Sequence, residues 1–183
     1  MRVEAAGITV PALSAHRNGQ GVGWFRASLF GGLLGLACAS SNFDGKVFRQ
    51  GDITFRLENL PASWRNIEIS DTALAFRDDE HAATVAINGR CGKDADDVPL
   101  RSLTQHLFLQ FTERRLEQQE LFPLDGREAL GTQLVAKLDG VQKHFHVVVL
   151  KKDGCVYDFM QIANGPQDPR DFLHFVQGFS SAS

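Results

Sequence analysis

Residues 131–162 read Gly131-Thr-Gln-Leu-Val-Ala-Lys-Leu-Asp139-Gly140-Val-Gln-Lys-His144-Phe-His146-Val-Val-Val-Leu-Lys-Lys-Asp153-Gly154-Cys155-Val-Tyr-Asp-Phe-Met-Gln-Ile162. Asp-Gly flanked by β-branched and aromatic residues marks a two-residue hairpin, because both central positions of the favoured turn need a positive φ. Two such turns in succession give three strands, 131–138, 142–152 and 155–162, joined as an antiparallel meander. This segment sets the class: an antiparallel sheet whose apolar face must be covered by something else.

The covering elements lie on either side. Upstream, Leu100, Leu103, Leu107, Phe108 and Phe111 recur at helical spacing. This predicts a helix opening near Asp96 or Asp97, with Pro99 in its first turn and Arg114 and Arg115 toward its C-terminal end. Downstream, Asp168-Pro169 opens a second helix, with Asp171 placed as in a capping box and Phe172, Phe175, Val176 and Phe179 on its inner face. Further upstream, 46–50 and 52–57 read as strands around Gly51, followed by a turn at Leu60-Pro61-Ala62-Ser63 and a segment from Trp64 to Ile69. Residues 73–77 and 82–88 are two more strands flanking an exposed turn at Asp78-Asp79-Glu80, and 88–97 reads as a loop. The expected architecture is α+β: an N-terminal strand group and a C-terminal three-strand meander in an antiparallel sheet, packed by two main helices.

Leu60-Pro61…Trp64 after an early hairpin, the mid-chain helix, and Val156-Tyr157-Asp158-Phe159 followed by Phe172…Phe179 resemble the PsbP/Mog1-like fold group, to which bacterial DcrB-type lipoproteins are also similar. The resemblance spans roughly residues 45–180 and implies a non-catalytic assembly or binding module.

The first forty residues are a different polymer. Arg2, Arg17 and Arg26 face a single acid, Glu4, and Ala27 to Ala39 then runs thirteen residues without a charge. That is too short for a membrane-spanning helix, which needs about 20 apolar residues. A basic segment followed by a short apolar run has the layout of a secretory signal, with small residues at Ala37-Cys38-Ala39-Ser40 for a peptidase. Leu34-Gly35-Leu36-Ala37-Cys38 resembles the lipobox of bacterial lipoproteins, departing from it at Gly35, where that family usually carries Leu, Val or Ile. The resemblance implies lipidation of Cys38 and anchoring to the cell envelope facing the periplasm; a cleaved, unlipidated signal leading to a soluble periplasmic or secreted protein is the alternative. The long basic segment places the start codon at Met1 or nearer Val22. The expected organisation is a signal and lipidation segment over 1–38, a tether over 39–44 and one α+β domain over 45–183.

A net charge of −3 argues against sequence-independent nucleic-acid binding. The chain has no Gly-x-Ser-x-Gly elbow and no Gly-rich strand-to-helix turn outside the signal, so neither an esterase-type serine nor a nucleotide site is expected. Asp94, Asp96 and Asp97 lack the rest of a calcium loop. No catalytic residue and no cofactor is assigned, and the expected partners are the membrane, reached through the lipid, and an envelope protein or lipid. His144 and His146 sit two apart on a predicted strand and therefore share a face. They read as a polar, solvent-facing stripe opposite Phe145, Val147 and Val149; the alternative is a periplasmic metal-binding protein or hydrolase using both imidazoles. Of three cysteines, Cys38 belongs to the signal, which leaves Cys91 and Cys155 as an even pair. In an oxidising compartment they either form a bridge or remain two unrelated buried thiols.

Overall fold

The computed structural model describes residues 42–70, 72–92 and 98–182. The proposed signal, Cys38 and the acidic run Asp94, Asp96 and Asp97 lie outside the described residues.

The fold is α+β and its sheets are antiparallel. Eleven strands and two helices are described: β1 (Asn42–Phe43), β2 (Val47–Gln50), β3 (Ile53–Leu57), β4 (Arg65–Ile67), β5 (Leu74–Asp78), β6 (Ala83–Cys91), α1 (Leu100–His106), β7 (Thr112–Leu124), β8 (Arg127–Leu138), β9 (Val141–Lys152), β10 (Cys155–Ala163), α2 (Pro169–Gln177) and β11 (Phe179–Ser181). Seven strands form one large sheet in the order β4-β5-β6-β10-β9-β8-β7, and β1-β2-β3-β11 form a small one. The N-terminal strand group therefore divides, with β4 to β6 joining the meander and β1 to β3 forming a separate layer.

The meander turns behave as their sequence dictates. Asp139 and Asp153 both have φ of 51°, followed by Gly140 at 79° and Gly154 at 75°. A third copy of the same turn stands at Asp125 (φ 49°) and Gly126 (φ 75°), joining β7 to β8. The meander accordingly has a fourth strand, β7, where the sequence pattern had suggested the end of a helix. Helix α1 stops at His106, and Phe108 and Phe111 continue in a turn that packs edge-on against Phe145, with ring centroids 5.4 and 4.9 Å away. Arg114 and Arg115 belong to the edge strand β7. Its residues Arg-Arg-Leu-Glu-Gln-Gln-Glu are good helix formers, but tertiary pairing with β8 overrides that preference. Two register shifts, between Thr112 and Arg115 and between Leu116 and Gln118, and a proline at position 123 blunt this exposed edge.

Both faces of the large sheet are covered. Val148 and Leu150 of β9 share a buried cluster with Phe48 and Phe55 of the small sheet and with Phe172 and Phe175 of α2. Their neighbours Phe145, Val147 and Val149 join a second cluster with Leu103 of α1, Phe108 and Phe111. A near-continuous apolar run in β9 is what a strand buried on both faces requires. Phe175 is fully buried, 5.0 Å from the Trp64 ring. Phe179 lies past the helix on β11, which pairs with β3 and draws the C-terminus into the small sheet.

Two expected loops are structured. Strand β6 continues to Cys91, pairing with β10 along its full length. Asp78, expected in an exposed turn, ends β5 and is 4% exposed, because its carboxylate accepts from the backbone N–H of His81 (3.2 Å) and lies 2.8 Å from His81 Nδ1.

Candidate functional site

Cys91 and Cys155 occupy opposed positions at the ends of β6 and β10 and are joined by a disulfide, with Cα atoms 4.0 Å apart. The next pair outward is held by a Gly92 N–H to Gly154 carbonyl hydrogen bond of 3.0 Å. The bridge therefore sits where antiparallel side chains approach most closely.

His144 and His146 do share a face, but it is the one covered by α2. His146 is only 8% exposed, with the Phe172 ring 6.1 Å away. The expectation of a solvent-facing stripe was wrong because it assumed one wet face for the sheet, whereas α2 and the small sheet cover that side. Burial pushes the imidazole below its ordinary pKa. His146 Nδ1 and Gln161 Oε1 are enclosed without a hydrogen-bond partner. His146 borders a cavity of about 20 Å³, room for one water molecule. Among the described residues no three His, Cys, Asp or Glu side chains cluster as metal ligands would.

A buried polar network crosses the middle of the large sheet. Asp158 on β10, 2% exposed, accepts from Arg90 Nη1 at 2.8 Å and from Asn88 Nδ2 at 3.1 Å, and Asn88 Oδ1 accepts from the Ala73 N–H at 3.1 Å. Every partner is on a neighbouring strand or its flank, so this network ties β5, β6 and β10 together. At the other end of the sheet Asp125 accepts from the Ser181 N–H and hydroxyl, both at 2.8 Å, and pairs with Lys152 at 2.9 Å. Although burial opposes it, these donors hold its carboxyl below the usual range.

One open groove, of about 480 Å³, lies between α1 and the β7–β8 hairpin. Phe108 and Leu134 contribute to its lining from the core, with Leu109 (72% exposed) and Leu116 (59% exposed) facing solvent and Arg101 and Arg114 supplying charge. The shift between Leu116 and Gln118 builds this wall: Leu116 pairs with Leu134 and Gln119 with Thr132, which puts both on the α1 side. The sequence pattern missed the groove because it placed Arg114 on a helix and gave β7 no strand.

No protein-family model matches this chain, and no curated protein matches it. Solved structures superpose on it to differing extents. A crystal structure from Bacteroides thetaiotaomicron VPI-5482 superposes with a TM-score of 0.52 at 11% identity, over 70% of this chain and 45% of that one, so the match spans under half of that protein. The crystal structure of LpqN, involved in cell envelope biogenesis of Mycobacterium tuberculosis, gives 0.48 at 13% identity over 79% of this chain and 90% of that one. The solution structure of cyanobacterial PsbP (CyanoP) from Synechocystis sp. PCC 6803 gives 0.48 at 13% identity over 84% and 99%.

Proposed function

We propose that this chain is exported, held to a cell-envelope membrane through lipid on Cys38, and acts there as a non-catalytic binding or assembly module. The observation that carries the reading is the Cys91–Cys155 bridge. Structural disulfides persist in oxidising compartments and are rare where glutathione keeps thiols reduced. The bridge adds to what the N-terminal sequence supplies independently: a basic segment, thirteen uncharged residues and a cysteine among small residues. Among the described residues no helix is long and apolar enough to cross a membrane, so in this reading the attachment is made by the lipid. The enclosure of His146 weighs against the alternative of a hydrolase or metal protein built on His144 and His146.

Radiolabelled palmitate fed to cells expressing the chain tests the anchor. The expected result is label on the native protein and none on Cys38→Ser, which leaves the membrane fraction. Equal labelling of both, or none on either, overturns it.

A further inference from the structure

We propose that the groove between α1 and the β7–β8 hairpin is a binding site for a fatty acid. The carboxylate lies on Arg101 and Arg114, and the acyl chain runs over Leu109, Leu116, Phe108 and Leu134. The charge pattern argues for an anionic head. Neighbouring cations on this edge already have acids: Arg115 pairs with Glu117 at 2.9 Å, and Lys137 with Glu113 at 2.7 Å. Arg101 and Arg114 have no carboxylate within 4.0 Å among the described residues, and no acidic side chain lines the groove. Arg114 donates from Nη1 to the Phe108 carbonyl at 3.2 Å, which fixes one end of its fork and leaves its other N–H groups free of any described partner. A guanidinium presents donors in the geometry a carboxylate accepts in pairs.

The apolar part argues for a chain. Five large apolar side chains among the described residues are exposed, and two of them, Leu109 and Leu116, line this groove. Covering these two leucines removes apolar surface from water, so the pair is an unmet source of affinity. The volume, about 480 Å³, falls within the range of small-molecule sites. The groove extends the proposed binding role to a ligand class, and it does so independently of the anchor: loss of palmitate labelling would end the anchor and leave the groove's affinity unchanged.

The test uses the full chain carrying Cys38→Ser, so that no acyl group of its own competes, with palmitate below its micellar concentration. Hexadecanol, which has the same chain length without the charge, is the comparison. The expected result is saturable binding of one palmitate per chain, with hexadecanol at least tenfold weaker. Arg101→Gln with Arg114→Gln should remove that difference, and Leu109→Glu should weaken both ligands. All three side chains are exposed, and a circular-dichroism spectrum matching the parent confirms that the variants fold. Absence of saturable palmitate binding, equal affinity for the alcohol, or unchanged affinity in the variants overturns the proposal. So does a dimer that forms through this face and that palmitate does not dissolve.

Discussion

Cys91 and Cys155 face each other across adjacent central strands, 64 residues apart in sequence and 4.0 Å apart between Cα atoms. The loop they close holds the whole connection from β6 to α1, α1 itself, and β7 to β9, so the bridge fastens the last strand of the meander to the strand group that precedes it.

Reducing that bridge should therefore cost stability throughout the sheet. For a loop of this length the chain-entropy model gives about 4 kcal/mol, against the roughly 5–15 kcal/mol that holds a typical domain together. Urea unfolding with and without reductant, repeated on Cys91→Ala with Cys155→Ala, should show a large fall in midpoint for both reduced parent and double variant. Identical midpoints in oxidised and reduced protein would contradict the prediction.

The end of α2 is packed against backbone. A Cβ added to Gly178 would stand 2.6 Å from the Asn59 backbone nitrogen and 2.8 Å from its Cβ, and the Gly178 carbonyl accepts from the Glu58 N–H at 2.9 Å. Its φ of −81° suits any residue, so the demand for glycine here is steric. Gly178→Ala should destabilise by about 1–3 kcal/mol, the usual cost of overpacking. Gly165→Ala, with open space around its added Cβ, serves as the control and should change little.

Asp158 is a buried carboxylate whose charged partner is Arg90. Arg90→Met should cost on the order of 2 kcal/mol, because an enclosed carboxylate loses its charged donor and keeps only Asn88. Asp158→Asn should cost less than Arg90→Met, since the amide oxygen still accepts a hydrogen bond and the charge left without a counter-ion is that of Arg90, whose side chain reaches solvent whereas Asp158 does not. The reverse order in denaturant midpoints would contradict this reading of the network.

Two histidines should bend the pH–stability curve in opposite directions. Burial holds His146 neutral, below its ordinary value of 6.5. The unfolded chain therefore takes up a proton that the folded chain refuses, and stability falls as the pH drops below about 6.5. His81 is the contrary case, since the Asp78 carboxylate raises its pKa. Its contribution is full below about 6.5 and is lost as the pH rises through the raised value. Urea midpoints from pH 5 to pH 8 should show His146→Gln flattening the acid-side loss and His81→Gln losing most stability at pH 5. Parallel curves for parent and both variants would contradict it.

How far the fold could be read depended on how local its causes are. Asp139-Gly140 and Asp153-Gly154 announce their turns by themselves, and Asp168-Pro169 announces a helix that the Asp168 side chain caps by accepting from the Arg170 N–H at 2.9 Å. Strand β7 could not be read in the same way. Its Glu, Gln and Arg residues favour a helix in isolation, and its strand pairing comes from β8 across the turn at Asp125-Gly126. That third Asp-Gly is the signal for the strand, but the residues before it, Glu117 to Glu120, do not alternate apolar with polar. The two faces of β9 posed a related difficulty. Val147, Val148, Val149 and Leu150 form an unbroken apolar run, which indicates burial on both sides, whereas reading only His144, Phe145 and His146 suggests one wet face. Cys91 and Cys155 were legible as an even pair by residue type, but their opposition depends on the β6–β10 register, which joins segments separated by α1 and three strands.

The central claim is that the chain is an exported domain that reaches its mature form at Cys38. Mass spectrometry of the protein isolated from the membrane fraction tests this most directly. The account predicts a mature chain beginning at an acylated Cys38, with the peptides containing Cys91 and Cys155 linked to each other. A chain that retains the residues before Cys38, carries no acyl group, and has Cys91 and Cys155 open to alkylation would contradict it.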